Sequence, residues 1–126
     1  MRRFWIGLGL LLGILAVGLW TTVKMGRIHT SISENLICSA QAVQNGNWSE
    51  ADEYADKAGE AWRNSWHFSA ALTDHTVLDE IDGIFAETEV YRKNRNELAY
   101  AASCAKLAQQ IDAVQEGHKL SWWNLL

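Results

Sequence analysis

The chain has no proline, and of its nine glycines only Gly59 and Gly83 fall inside the helical patterns of its later part. An all-β protein needs both residues at its turns, so their scarcity excludes that class and leaves long helices. Acidic residues are missing from the first quarter: all fifteen lie at or after Glu34, while Arg2, Arg3, Lys24 and Arg27 bracket an early apolar run. From Ile28 onward, seven Lys or Arg against fifteen Asp or Glu leave a net charge of -8. Such a surface is repelled by phosphate backbones, which argues against nucleic-acid binding. With 126 residues there is room for one small core beside a membrane segment, and none for a second domain.

What is present begins with residues 4–23, twenty consecutive positions without a charge. At about 1.5 Å per residue they match the roughly 30 Å hydrocarbon core of a bilayer. Trp5 and Trp20 stand near the two ends, where an indole buries its ring and still hydrogen-bonds at the headgroups. A signal peptide has a shorter apolar core and a small-x-small cleavage site, whereas this run leads into Leu19-Trp20-Thr21-Thr22. The expectation is a retained single-pass anchor over residues 1–27 carrying an acidic helical domain over 28–126. Arg2, Arg3 and the amino terminus outnumber Lys24 and Arg27, which puts the N-terminus in the cytoplasm and the domain outside. Gly9 and Gly13 form a GxxxG spacing through which two such helices could pair as a homodimer.

The rest reads as four helices in an antiparallel bundle. Ile28, Ile32, Leu36, Ala40 and Val43 make one stripe at spacings of three and four, continuing out of the membrane and ending at Asn45-Gly46. Ser49 with Asp52 resembles a capping box, predicting a second helix whose stripe is Ala51, Ala55, Ala58, Trp62, Trp66 and Ser69, closed by Leu72. Thr73 or Asp74 caps a third, with Leu78, Ile81, Phe85, Thr88 and Tyr91 inside. Residues 92–96 read as a turn. The last helix carries Tyr100, Cys104, Leu107, Ile111 and Val114 and is expected to stop near Gly117.

The stretch Gly46-Asn47-Trp48-Ser49-Glu50-Ala51, followed by Ala58, resembles the second half of a tetratricopeptide repeat, which implies a packed helical hairpin. Across most of its length the chain is similar to the bacterial membrane-protein family carrying domain of unknown function 4363. The resemblance rests on the short anchor, the helix from Trp62 to Trp66, the Asp74-His75 step before Leu78 and Ile81, and the closing Leu120-Ser121-Trp122-Trp123-Asn124-Leu125-Leu126. It implies a bacterial, anchored, helical protein and carries over no catalytic residue.

Few residues suggest chemistry. His75, Asp79 and Asp82 lie at i, i+4 and i+7, so one helix face could offer a nitrogen and two oxygens to a divalent metal; the plainer reading is a solvated helix start. Trp62 and Trp66 either line a small-ligand pocket or fill the core. Cys38 and Cys104 lie on the first and last soluble helices and form either a disulfide or two separate thiols. There is no HExxH, CxxC, phosphate loop or nucleophile elbow. The expectation is therefore a noncatalytic interaction or accessory protein that needs no cofactor. Its apolar tail, with Trp122, Trp123, Leu125 and Leu126, is the candidate surface for a protein partner. A sensor or binding domain for a metal or small ligand is the alternative.

Overall fold

The computed structural model describes the backbone of residues 1–125 and, except at residue 72 and from residue 118 on, their side chains. It is all-α: α1 Arg2–Gln44, α2 Trp48–Leu72, α3 His75–Lys93 and α4 Glu97–Leu125. The first helix runs unbroken through the expected boundary at residues 27 and 28, a rod of roughly 65 Å. None of the residues in its most apolar stretch is buried, and that stretch is long and apolar enough to cross a membrane. Its second half lies in a four-helix bundle, packed on α2 and α4, with α3 completing the square against α4.

The first two helices are joined by a tight turn. Gly46 takes a positive φ of 76°, its N–H donates to Val43 O, and the Asn47 N–H donates to Ala42 O. These are the two bonds that close a helix end around a left-handed residue. Residues 92–96 form the same turn as expected: Arg95 N–H donates to Arg92 O and Asn96 N–H to Tyr91 O. Here the left-handed position, φ 53°, is filled by Arg95.

Two helix boundaries differ from the sequence reading. The second helix starts at Trp48, capped by Asn47 instead of Ser49. The Asn47 carboxamide oxygen accepts from the Glu50 N–H at 3.1 Å while its NH2 donates to the Glu50 carboxylate at 3.0 Å. An amide thus satisfies the helix end two positions earlier than a serine would. The last helix passes through Gly117 to Leu125. A glycine inside a helix costs only about 1 kcal/mol, and with no proline behind it nothing forces a stop. The cap of α3 is Asp74, whose carboxylate accepts from Thr76 N–H at 2.9 Å; that bond holds its pKa below the ordinary value.

The core stripes follow alternating steps of four and three, the spacing of helices packed knobs into holes. On α1 the buried seam is Met25, His29, Ile32, Leu36, Ser39 and Val43, so it is turned from the expected one: Ile28 and Ala40 are half-buried flanks. On α2 Ser65 is buried and Trp66 sits at the edge; on α3 Ile84 is buried and Phe85 and Tyr91 are half-buried. Hydrophobicity alone could not find His29, Ser39 or Ser65, because polar groups enter a core where partners exist for them.

Candidate functional site

The helices α1, α2 and α4 meet at Ser39. Its hydroxyl lies 2.7 Å from Ala51 O and 2.6 Å from the Tyr100 hydroxyl. Ser39 has one proton, and a carbonyl can only accept, so Ser39 donates to Ala51 O and Tyr100 donates to Ser39. A second relay joins α3 to α4: Thr88 donates to Ile84 O at 2.7 Å and so accepts from Ser103 at 2.5 Å. Both chains end on a backbone carbonyl, which leaves no hydroxyl in them poised to attack a substrate. Burial raises the Tyr100 pKa above its ordinary range. It also pushes the Cys104 thiol up to about 11, so this thiol is a poor nucleophile at neutral pH. Cys38 is half-buried, and both thiols are free.

The α2–α3 side is built differently. These two helices touch sparsely, and a cleft of about 280 Å³ opens between them, lined by Ala55, Gly59 and Ala86 among small residues and by Trp62, Asp82 and Phe85. Trp62 is 3% exposed and stacks on Phe85 with centroids 5.7 Å apart. The Asp82 carboxylate accepts from both indoles, Trp62 Nε1 at 2.6 Å and Trp66 Nε1 at 3.0 Å. Two N–H groups from consecutive turns of α2 are thereby tied to one residue of α3. Arg63 also lines the cleft and has no ion pair among the described residues.

At the far end, Arg92 reaches across from α3 to Asp56 on α2 at 3.0 Å and holds Glu89 at 2.7 Å. Arg95 grips both oxygens of Asp52 at 3.0 Å and lies over the Trp48 ring at 4.7 Å. That two-pronged bond, opposed by partial burial, holds the Asp52 carboxyl below its ordinary pKa. It also explains why an arginine occupies a position that glycine fills in the other turn: its planar fork suits a carboxylate and its face suits an indole.

The structure places the expected metal set as follows. His75, Asp79 and Asp82 all lie on α3, and each Asp82 oxygen accepts from an indole. His75 lies beside Trp66 with ring centroids 6.4 Å apart, and Asp79 is exposed. Among the described residues, no three His, Cys, Asp or Glu side chains gather as a metal site. Trp62 and Trp66 serve the seam, Trp62 as cleft wall and Trp66 as its edge. Gly9 and Gly13 face open space. The partner candidates Trp122, Trp123, Leu125 and Leu126 have side chains outside the described residues. Sequence reasoning missed the pairing of Asp82 with two tryptophans and the role of Arg95. A spacing of 20 and 16 residues between donor and acceptor leaves no local pattern to read.

The family model described as domain of unknown function (DUF4363) matches residues 19–125. The chain belongs to the DUF4363 family. No curated protein and no solved structure matches it. The match starts inside the apolar segment and runs to the end of α4, so in this DUF4363 chain the family unit is the bundle together with the last turns of the membrane-length helix.

Proposed function

We propose that this DUF4363 protein is a noncatalytic, membrane-anchored interaction protein that holds a rigid helical bundle at the bilayer surface. The observation that carries this reading is α1 itself. One uninterrupted helix supplies a bare, membrane-length apolar segment and then the central seam of the bundle. A flexible linker would let the domain wander, whereas a continuous helix fixes its height and orientation over the lipid. The buried hydroxyls of Ser39, Thr88, Tyr100 and Ser103 and the charges of Arg92 and Arg95 are engaged within the fold, which supports a role in presenting surfaces over one in chemistry. Arg2, Arg3 and the amino terminus together put three positive charges before the span against Lys24 and Arg27 after it, which favours the N-terminus in the cytoplasm and the bundle outside.

Photo-cross-linkers placed singly at exposed positions of the full chain in its native membrane, such as Glu60 on α2, Glu80 on α3 and Lys106 on α4, test this. Discrete adducts confined to one face are expected, and absence of any adduct on every face contradicts the proposal. Impermeant maleimide applied to intact cells should label Lys57→Cys; labelling only after lysis reverses the topology.

The cleft supports a second reading, a sensor for a small ligand. Its aromatic wall, and Arg63 standing there among Asp56, Asp82, Glu89 and Arg92, suit a compact aromatic molecule with one group that pairs with the guanidinium. Benzoate as a probe should then raise the Tm of the wild-type chain in detergent and leave that of Arg63→Gln unchanged; no shift in either removes this reading.

A further inference from the structure

The register between α1 and α4 says where the end of α4 goes. The two run antiparallel, and two hydrogen bonds and one close approach fix their relative height. Ser33 donates to Asp112 at 3.2 Å and Thr30 to Gln115 at 3.2 Å. A Cβ built on Gly26 would meet the Gln115 amide nitrogen at 3.2 Å. Each step along α4 toward its C-terminus therefore descends along α1 toward its N-terminus. The helix continues ten residues past Gln115, to Leu125, a drop of roughly 15 Å. The same drop along α1 from Thr30 arrives at Trp20, inside the uncharged run of residues 4–23. The last turns of α4 are thus level with Lys24 down to Trp20, at the boundary between the charges that close the span and the apolar helix itself.

The sequence that reaches this height is Leu120-Ser121-Trp122-Trp123-Asn124-Leu125, without a charge, preceded by His118 and Lys119. This order suits a bilayer boundary: a cation at the phosphate level, then indoles where headgroups meet chains, then leucine. Four of the six residues from Leu120 to Leu125 are apolar and gain nothing by standing in water, and the α1 residues at their height, from Trp20 to Lys24, are exposed or half-buried. We propose that the C-terminal turns of α4 seat in the outer part of the same bilayer that α1 spans, making a second, interfacial membrane contact with lipid as the occupant. The bundle then stands on two helices, which fixes its tilt and its rotation about α1. This rests on residues 4–23 being a membrane span, and it turns the tail from a surface for a soluble partner into a foot.

Tryptophan emission of the full chain, reconstituted in phosphatidylcholine vesicles with and without lipids brominated near the headgroup, separates the two contacts. In Trp5→Phe/Trp20→Phe, Trp122 and Trp123 are two of the five tryptophans left. Brominated lipid should quench up to their two-fifths share, and further removal of both with Phe should abolish the quenching while circular dichroism stays unchanged. In Trp122→Phe/Trp123→Phe, quenching from Trp5 and Trp20 reports the span alone. Quenching in this second chain but none in the first overturns the interfacial foot and returns the tail to a protein partner or to the bundle. No quenching in either chain overturns the span on which both depend.

Discussion

The seams made by α1 and the seam between α2 and α3 are held by different physics. The first helix meets its neighbours through Ile32, Leu36 and Val43, all nearly inaccessible to water, with Ser39 knotted to Tyr100 in their midst. The α2–α3 seam has a cleft in its middle and is closed by Asp82 on two indoles and by Arg92 across its far end. Apolar contact is insensitive to salt and direction, and polar clasps are sensitive to both. The lesson is that the seams of α1 are held by apolar packing and the side away from it by polar clasps around a cleft.

Substitutions separate the two kinds of seam, read by denaturation of the detergent-solubilised full chain. Trp62→Ala removes the residue shared by core and cleft and should cost about 4 kcal/mol. Leu36→Ala strikes the α1 seam and should cost about 3 kcal/mol, with the same loss at low and high salt. Asp82→Ala strands two indole N–H groups and should cost about 2 kcal/mol. A native-like value for Asp82→Ala would mean that the cleft side is held by its apolar contacts after all. Arg92→Gln should cost only about 1 kcal/mol, because its partners Glu89 and Asp56 are substantially exposed, and the loss should shrink in high salt. The smallest effect sharpens the turn comparison: Arg95→Gly should be less harmful than Arg95→Ala, since glycine accepts the left-handed backbone while both lose Asp52.

Two limbs of pH dependence follow. The folded-state pKa of Asp52 is depressed, so its contribution is present above the ordinary carboxylate value of 3.8 and is lost as pH falls through the lower folded value. Cys104 is raised from 9.0 to about 11, so its contribution is complete below pH 9 and disappears as pH rises toward 11. Stability should fall on both sides, the acid loss weakened in Asp52→Asn and the alkaline loss in Cys104→Ala. At neutral pH, alkylation should reach Cys38 and spare Cys104 until the chain unfolds.

Much of the architecture could be read from residue order. The uncharged run of residues 4–23, the stripe Ala51, Ala55, Ala58 and Trp62, and the turn at Asn45-Gly46 are local patterns, and local patterns determine helices. The rotation of the α1 seam toward His29 and Ser39 was not legible, since a hydroxyl is core-compatible only once Tyr100 and Ala51 O arrive from elsewhere in the chain. Nor was the continuation of α4 through Gly117, where an isolated glycine signals a stop as readily as a passage. The cleft is a property of three-dimensional spacing: Gly59, Ala55 and Ala86 leave a gap only because α2 and α3 stand apart.

Hydrogen–deuterium exchange of the full chain in lipid nanodiscs tests most directly whether one unbroken α1 unites membrane and bundle. The account requires slow exchange from about Ile6 to Val43 without a gap, residues 4–23 protected by lipid and the remainder by the bundle. A fast-exchanging break between Val23 and Ile28 would make the anchor and the bundle separate bodies and contradict it.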